Sequence, residues 1–293
     1  DRDDNISEVT TYPAHTNIND GGLGAQNSLV HATCRRAIRI MERTLVVEQA
    51  WPEVHRKAEY CVDVVKQAAQ DLVDAGGQAR FKDIALRVEE DTAYVDDISK
   101  LIMDRPANNR GLARKEAQTY VSEFRLGSGE ACKRRVKILL DSREYIYPGH
   151  WEVDAQGNEK WMIDKKQSPY LNLAIVNTLQ AAYFSSPKAV GSRHLDDYKS
   201  SIAERKESEI TPSLVALAST AVHATIESWG SGVYKKARKD DQFSSERYKH
   251  VYEHHMALLA GLKEKKKHAY HDIMSQIHAT VVYVHSIYVI HLA

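Results

Sequence analysis

The chain has 293 residues, of which 43% are hydrophobic and 27% are charged. These proportions are close to the globular average, so they exclude a disordered or fibrous chain, and the length suits one large helical domain or two ordinary ones. Because 40 Lys and Arg residues balance 40 Asp and Glu residues, the overall basic excess of a dedicated nucleic-acid binder is absent, and any basic function must be local.

Helical periodicity covers most of the chain. Apolar residues recur three and four positions apart, as on the buried face of an amphipathic helix, and Pro or Gly residues separate the periodic segments. Residues 1–26 lack this pattern and are rich in Asp, Asn, Thr and Gly, which predicts a flexible lead-in. On this pattern we predict helices over residues 28–50, 52–75, 80–104, 111–126 and 130–140.

The period changes after the last of these helices. Residues 145–163 alternate aromatic and polar side chains on either side of an Asp-Ala-Gln-Gly-Asn turn, which predicts a small β-hairpin or an ordered loop. This hairpin is the one non-helical element with a clear pattern in the sequence.

Further helices follow the hairpin. Ser168-Pro169 and Thr211-Pro212 each combine an N-cap residue with a proline in the first turn, so each should begin a strongly apolar helix. The last helical region begins at Ser244 or Ser245. We therefore predict an all-α fold of eight to ten helices with the hairpin inserted, as a single large domain over residues 27–285 and a tail over 286–293.

The cysteine pattern and the lengths of the apolar segments indicate the cellular compartment. Cys34, Cys61 and Cys132 are widely spaced, odd in number and outside any CxxC or Cys/His finger pattern, so they indicate neither a disulfide framework nor a structural zinc site. No stretch of about 18 apolar residues is available to cross a bilayer. We therefore expect an intracellular protein, cytoplasmic or nuclear, without a membrane partner.

Several segments carry a resemblance to a known family. They are YIYPGHWE, SPYLNLAIVNTLQAAYF, SSPKAVG, PSLVALASTAVHATIESWGSG and SSERYKHVYEHHMALLAGL, in that order. Over roughly residues 30–280 the chain resembles a helical domain of mushroom-forming fungi, domain of unknown function family 6532. The resemblance implies a compact helical domain in an intracellular fungal protein, and it brings no activity, cofactor or catalytic residue. The function has to be argued from the residues.

Common catalytic motifs are missing from the sequence. It contains no P-loop, GxSxG elbow, HExxH, kinase motif or EF-hand loop. Acidic pairs occur at Asp96-Asp97, Asp196-Asp197 and Asp240-Asp241, but none has a further acid one turn later to share a Mg²⁺ ion, so we interpret them as solvated helix ends. These absences favour a non-enzymatic binding or interaction module.

Histidines are concentrated near the C-terminus, where eight of the 14 lie between His250 and His291. His250 and His254 are one helical turn apart, and such a pair of neutral imidazoles can ligate Zn²⁺. A metal site would need a further ligand from elsewhere, for which a glutamate such as Glu227 is available. The alternative is that these histidines are amphipathic residues on a half-buried helix face.

A second histidine pattern is that of all-helical ribonucleases of the HEPN type. These carry an Arg, four to six residues and then a His on one helix face, where His acts on the attacking 2′-OH and Arg holds the phosphate. Arg247 and His254 have this spacing and are the candidate catalytic pair of a metal-independent ribonuclease. Arg143 and His150 share the spacing outside a helix, so the spacing alone is weakly specific.

Basic residues form local clusters at 132–137, 235–239 and 263–268. If folding brings clusters together, they form a phosphate-binding face beside aromatic side chains; the alternative is a solvated surface balanced by nearby acids. The hairpin tryptophans either line an interface or anchor the hairpin. The expected partner is a nucleic acid or a protein, homo-oligomerisation stays open, and the candidate binding residues are Arg134, Arg135, Trp151, Trp161, Lys235, Lys236, Arg238 and Lys239.

Overall fold

The computed structural model of the chain describes residues 23, 26–52, 57–76, 80–164, 168–235 and 243–290, with residues 283–290 as backbone only. It is 69% helical, and the ten α-helices and one antiparallel hairpin of the described residues confirm the predicted all-α fold with a small β insertion. The elements are α1 Ser28–Arg43, α2 Lys57–Asp74, α3 Arg80–Glu90, α4 Thr92–Lys100, α5 Arg105–Tyr120, α6 Gly129–Asp141, β1 Gly149–Val153, β2 Glu159–Ile163, α7 Leu173–Tyr183, α8 Pro212–Glu227, α9 Ser245–Lys265 and α10 Lys267–Ile290.

The described residues group into two compact units. Residues up to 45 and residues 52–108 form the first, while residues 46–51 and the chain from residue 109 onward form the second. The predicted lead-in falls almost entirely outside the described residues, and α10 continues to Ile290, past the predicted domain end at residue 285. A single domain with those bounds stays a prediction.

The first unit is a small helical core with well-defined ends. The side chain of Asn27 caps α1 by accepting the N–H groups of Leu29 and Val30 at 3.0 and 2.9 Å. The helix α2 ends before Gly76, whose φ of +71° is the left-handed stop that the sequence predicts. The apolar faces of α1 to α4 share one buried cluster that includes Val30, Cys34, Met41, Val65, Ile84, Tyr94 and Ile98.

Two helix boundaries differ from the prediction for local reasons. Residues 80–104 are two helices, because the Asp91 side chain accepts the N–H of Tyr94 at 3.0 Å and so caps a new helix. The next helix begins at Arg105, earlier than predicted. Pro106 lies in its first turn, where the helix needs no N–H donor, so this proline begins a helix and does not end one.

The second unit is built around α8. Thirteen of its 16 residues are buried, so the helix is covered on every face, and it packs against α6, α7 and α9. Thr211 caps it by accepting the N–H of Leu214 at 3.4 Å, with Pro212 in the first turn as predicted. Its buried hydroxyls at Ser219 and Thr220 bond back to the carbonyls four residues earlier, which satisfies them without water.

Residues 46–51 are part of this second core although they come early in the chain. Trp51 is buried, and its indole Nε1 donates to Ser245 Oγ at 2.6 Å at the start of α9. The hydroxyl of Thr211 donates to the carbonyl of Val46 at 2.8 Å. The segment is therefore tied to both helices by hydrogen bonds that its buried backbone and indole require.

The start of α7 was predicted at Ser168-Pro169, and this prediction is wrong. The N-cap is Asn172, whose Oδ1 accepts the N–H of Ala174 at 2.9 Å. Tyr170 has a φ of +68°, which is rare for an aromatic residue, and its N–H donates to the carbonyl of Ile146 at 2.6 Å. The chain turns at Tyr170 to meet the segment before the hairpin, and the helix can begin only after that turn.

The connection between α7 and α8 is attached to α10 by a buried carboxylate. Glu209 is 5% exposed, and its Oε1 accepts from the N–H and the hydroxyl of Ser201, each at 2.7 Å. The fully buried His271 of α10 places Nδ1 2.7 Å from the same oxygen. Next to it, the N–H of Ile210 donates to the carbonyl of Met274 at 3.1 Å. One carboxylate thus satisfies three donors and holds the connection to the helix.

We expect Glu209→Ala to lower the free energy of unfolding by about 2 to 4 kcal/mol, because it leaves the buried donors of Ser201 and His271 without an acceptor. Glu204→Ala is the matched control, since Glu204 is exposed in the same connection. Urea unfolding followed by circular dichroism measures both. Equal stability of the two variants would contradict the role given to the Glu209 carboxylate.

Candidate functional site

The candidate residues of the hairpin hold it against α6. In the strand pairing Trp151 lies opposite Trp161, with ring centroids 5.1 Å apart. The indole of Trp151 donates to the carbonyl of Phe124 at 2.7 Å, and Trp161 is 3% exposed. Arg135 lies over the Trp151 ring and donates from Nε to Glu159 Oε1 at 3.1 Å. These side chains anchor the hairpin and leave little surface for a partner.

Arg134 faces the solvent beside this anchor. Its side chain is 61% exposed, and its nearest acid is Glu159, with 3.8 Å between Nη2 and Oε2. Lys137, one turn further along α6, is exposed as well. Glu159 already binds Arg135, and a solvent-exposed arginine at that distance gains little from it, so the charge of Arg134 stays available to a ligand.

The structure brings the start of α6 against the loop after α8, although the two segments are far apart in the sequence. The N–H of Gly129, at the start of α6, donates to the carbonyl of Gly232 at 2.8 Å, after the end of α8. The two backbones are so close that a Cβ on Gly232 would lie 2.6 Å from the Gly129 carbonyl oxygen. Lys235 is exposed just beyond this contact. Lys236, Arg238 and Lys239 lie outside the described residues.

An aromatic pair lies in the same loop. The rings of Trp229 and Tyr234 are 5.7 Å apart at their centroids, and Tyr234 is 41% exposed. The indole Nε1 of Trp229 is buried without a hydrogen-bond partner among the described residues. We define the α6 face as Arg134, Lys137, Tyr234 and Lys235.

A second polar centre lies around His255, which sequence reasoning missed. His255 is fully buried in α9, with Nε2 2.7 Å from the hydroxyl of Tyr145 and Nδ1 3.2 Å from that of Tyr170. A neutral imidazole has one donor and one acceptor, so one tyrosine donates to the ring and the other accepts from it. Only tertiary packing brings these residues together. The left-handed backbone of Tyr170 is the local feature that points its ring there.

Histidines surround this centre with lowered pKa values. Burial lowers the pKa of His255 to about 3, and neighbouring His223, His254 and Arg143 lower it as well. Burial also lowers the pKa of His223 to about 4, against the opposing charge of Glu227. His254 has its pKa lowered by burial first and then by Arg143. These three rings are therefore neutral near pH 7.

The candidate catalytic residue Arg247 is engaged with an acid. Its Nη2 donates to Glu227 Oε2 at 3.1 Å, and the hydroxyl of Tyr248 donates to the same oxygen at 2.6 Å. Arg114, from α5, donates to Ser228 Oγ at 2.8 Å and is close enough for the charge of Glu227 to act on it. The half-exposed carboxylate of Glu227 thus binds one arginine and one tyrosine at the end of α8, with Arg114 nearby.

Arg247 and His254 lie on one side of α9, two turns apart, as the ribonuclease pattern requires. His250 is exposed and lies one turn before His254. Across the described ranges, no group of three or more His, Cys, Asp or Glu side chains is arranged to hold a metal ion. The catalytic pair and the metal pair both stay predictions.

The described residues form an all-α fold with a small hairpin insertion and a buried histidine centre. The chain belongs to the family described as Domain of unknown function (DUF6532), whose model matches residues 36–262. No curated protein and no solved structure matches the chain. Among the helices that the structure describes, none is both long and apolar enough to cross a membrane.

Stability should depend on pH through the buried histidines. Because their pKa values in the folded state lie below the unfolded value of 6.5, the unfolded state binds more protons, and stability is lost as the pH falls below 6.5. Each of His223 and His255 should remove about 2 kcal/mol of folding free energy between pH 6.5 and pH 5. We expect His255→Gln to reduce this pH-dependent loss of stability by about 2 kcal/mol, the contribution of one histidine.

The matched control is Tyr170→Phe, which removes a hydrogen bond to His255 but keeps both titrating rings. It should lower stability at pH 7 and retain the pH dependence of the wild type. Denaturant unfolding at several pH values separates the two variants, and an unchanged pH dependence in His255→Gln would contradict the assignment.

Proposed function

We propose that the protein is a non-enzymatic binding module that takes single-stranded nucleic acid on the α6 face. The observation that carries the proposal is the backbone contact between Gly129 and Gly232, which brings the start of α6 to the loop that carries Tyr234 and Lys235. Sequence alone leaves these two segments unrelated. Arg134 and Lys137 further along α6 and Lys235 in the loop are exposed cations on a chain with no net charge.

The chemistry of the face suits a flexible phosphate backbone. Arg134, Lys137 and Lys235 are exposed cations that can neutralise successive phosphates. The ring of Tyr234 packs against Trp229 and is half-exposed, so a base can stack on it. Stacking and backbone contacts without base-edge recognition are the usual means of binding single strands without sequence preference.

The cellular setting is part of the proposal. We place the protein inside a fungal cell, in the cytoplasm or nucleus, where single-stranded RNA is available. The three free, buried cysteines support a reducing compartment. If nucleic acid does not bind, the alternative hypothesis is a protein partner, bound through the hairpin aromatics or the C-terminal histidine-rich region.

We expect a labelled 20-nucleotide oligouridine to bind weakly at low salt and to dissociate steeply as salt rises, because each neutralised phosphate releases counterions. Arg134→Glu combined with Lys137→Glu should weaken binding at least about tenfold and reduce the salt dependence by the equivalent of one or two phosphates. Tyr234→Ala should weaken it about tenfold through lost stacking. Fluorescence anisotropy measures all three effects.

The charge-reversal control is Lys188→Glu, which alters an exposed lysine between α7 and α8. It should bind like the wild type. If the oligonucleotide is not retained even at low salt, or if Lys188→Glu weakens binding as much as the α6 variants, the proposed face is wrong.

A ribonuclease is the second candidate function, and one observation favours it. His254 is half-buried and its pKa is lowered, so its imidazole is neutral near pH 7 and can accept a proton from a 2′-OH. Against it, Arg247 already binds Glu227 at 3.1 Å and would have to leave that acid to hold a phosphate. The balance of these contacts favours binding without cleavage.

We expect RNA and DNA strands of the same sequence to stay intact when incubated with the protein in EDTA. Cleavage of RNA but not DNA, lost in His254→Ala and retained in the exposed-histidine control His268→Ala, would reverse this ranking. The readout is denaturing gel electrophoresis of end-labelled strands, since attack by the 2′-OH leaves a cyclic phosphate on the RNA product alone.

A further inference from the structure

Arg143 is an arginine without a counter-charge. Within the described part of the chain its guanidinium has neither an acidic partner nor a hydrogen bond to another side chain. It lies between α6 and the short turn Glu144–Ile146, with a φ of +55°, a left-handed backbone that arginine seldom adopts. A half-buried cation held in a strained conformation without a partner calls for a ligand that supplies the missing negative charge.

The groups around Arg143 belong to four segments of the second unit. Two residues further along, Tyr145 places its ring 5.7 Å from His223 of α8 and 6.0 Å from His255 of α9. His254 is next in the chain to His255, with 6.2 Å between their ring centroids. The charge of Arg143 acts on the pKa values of Tyr145, Tyr170, His223, His254 and His255.

Within the described residues, one of these histidines has a ring nitrogen without a hydrogen-bond partner. His223 Nδ1 is buried without a hydrogen-bond partner among the described residues. His250 is exposed one turn before His254, close enough for its charge to act on His223. An imidazole nitrogen that is buried and unpaired costs free energy, and a bound oxyanion would remove that cost.

We propose that Arg143, His223, His250 and His254 form a binding site for a phosphate group, and that its binding is coupled to proton uptake by the histidines. The guanidinium offers a fork of N–H donors that matches two phosphate oxygens, and each imidazole adds one donor in a direction fixed by its helix. The site shares no residue with the α6 face, since Arg143 follows the C-terminal end of α6 and the histidines belong to α8 and α9.

The charges facing the site leave it short of negative charge. Glu227 is the acid that acts on His223 from α8, and it already binds Arg247 of α9 and lies near Arg114 of α5. Glu144 has contacts of its own beside Arg143. Tyr145 and Tyr170 stay neutral, because burial raises their pKa values. The cations therefore outnumber the acids before any histidine is protonated.

The coupling to protons has a defined sign. In the free protein burial and Arg143 hold the pKa values of His223 and His254 below 6.5, so both rings are neutral at pH 7. A bound dianion raises those pKa values by offsetting the charge of Arg143. Binding therefore takes up protons, and the affinity rises as the pH falls.

Histidine resonances in two-dimensional NMR test the site directly. We expect inorganic phosphate at constant ionic strength and pH 7 to shift the ring signals of His223 and His254. Sulfate, which stays a dianion at every pH used, should bind at least about threefold more tightly at pH 5.5 than at pH 7. Shifts that equal those caused by chloride at the same ionic strength would overturn the proposal.

The decisive variant is Arg143→Asn, because asparagine accepts the left-handed backbone while removing the charge. It should weaken phosphate binding about tenfold or more and, without ligand, raise the pKa of His254. Arg125→Asn is the matched control, since Arg125 is another arginine with a left-handed φ, of +44°, in the turn before α6. It should change neither the affinity nor the pKa.

If Arg143→Asn fails to fold, His254→Gln tests the same site, because it removes one donor from a half-exposed position and should weaken phosphate binding several-fold. The source of the phosphate is then distinguished with a 5′-phosphorylated and a 5′-hydroxyl oligonucleotide. A shift with inorganic phosphate but with neither oligonucleotide assigns the site to a small phosphate compound. A shift with inorganic phosphate and with the 5′-phosphorylated strand, but not with the 5′-hydroxyl strand, assigns it to a strand end. Loss of oligonucleotide binding at the α6 face would leave the inorganic phosphate result unchanged.

Discussion

The complete burial of α8 is the constraint on which the second unit depends. A helix covered on every face must find apolar neighbours all round, and here α6, α7, α9 and residues 46–51 provide them. The orientation of each of these segments is therefore set by its apolar packing against α8. The buried Ser219 and Thr220 of α8 bond to carbonyls of their own helix, whereas the buried Ser213 at its start bonds to the N–H of Ala50 and to the hydroxyl of Tyr252. The last turn of α8, from His223 to Glu227, meets charged groups.

This arrangement places the titratable side chains at the C-terminal end of the apolar helix α8. The buried tyrosines fix His255 by hydrogen bonds, while Nδ1 of His223 has no hydrogen-bond partner among the described residues. Burial keeps all three rings neutral, and Arg143 strengthens that effect. Neutral imidazoles thus lie near Arg143, a cation without an acidic partner among the described residues, and the phosphate group that we propose would offset its charge.

The two ends of α6 contact different parts of the second unit. Its first turn is set against the loop after α8 by the approach of Gly129 to Gly232, and the exposed cations Arg134 and Lys137 follow further along the helix. Its last turn leads to Arg143 and the histidines. Between them Arg135 and the tryptophans attach the hairpin to the helix, so that residues which resemble a binding surface in the sequence serve packing.

Local signals in the sequence determined the elements of this fold. The period of apolar residues gave the helices, Thr211 with Pro212 and Ser244 gave correct starts, and Gly76 gave a correct stop, because caps and turns depend on neighbouring residues alone. Tertiary structure decided the rest. Asn172 displaced Ser168 as a cap because Tyr170 turns to meet Ile146, and His255 lies between two tyrosines at least 85 positions away in the chain. Contacts over such separations follow from how helices pack, and no local pattern records them.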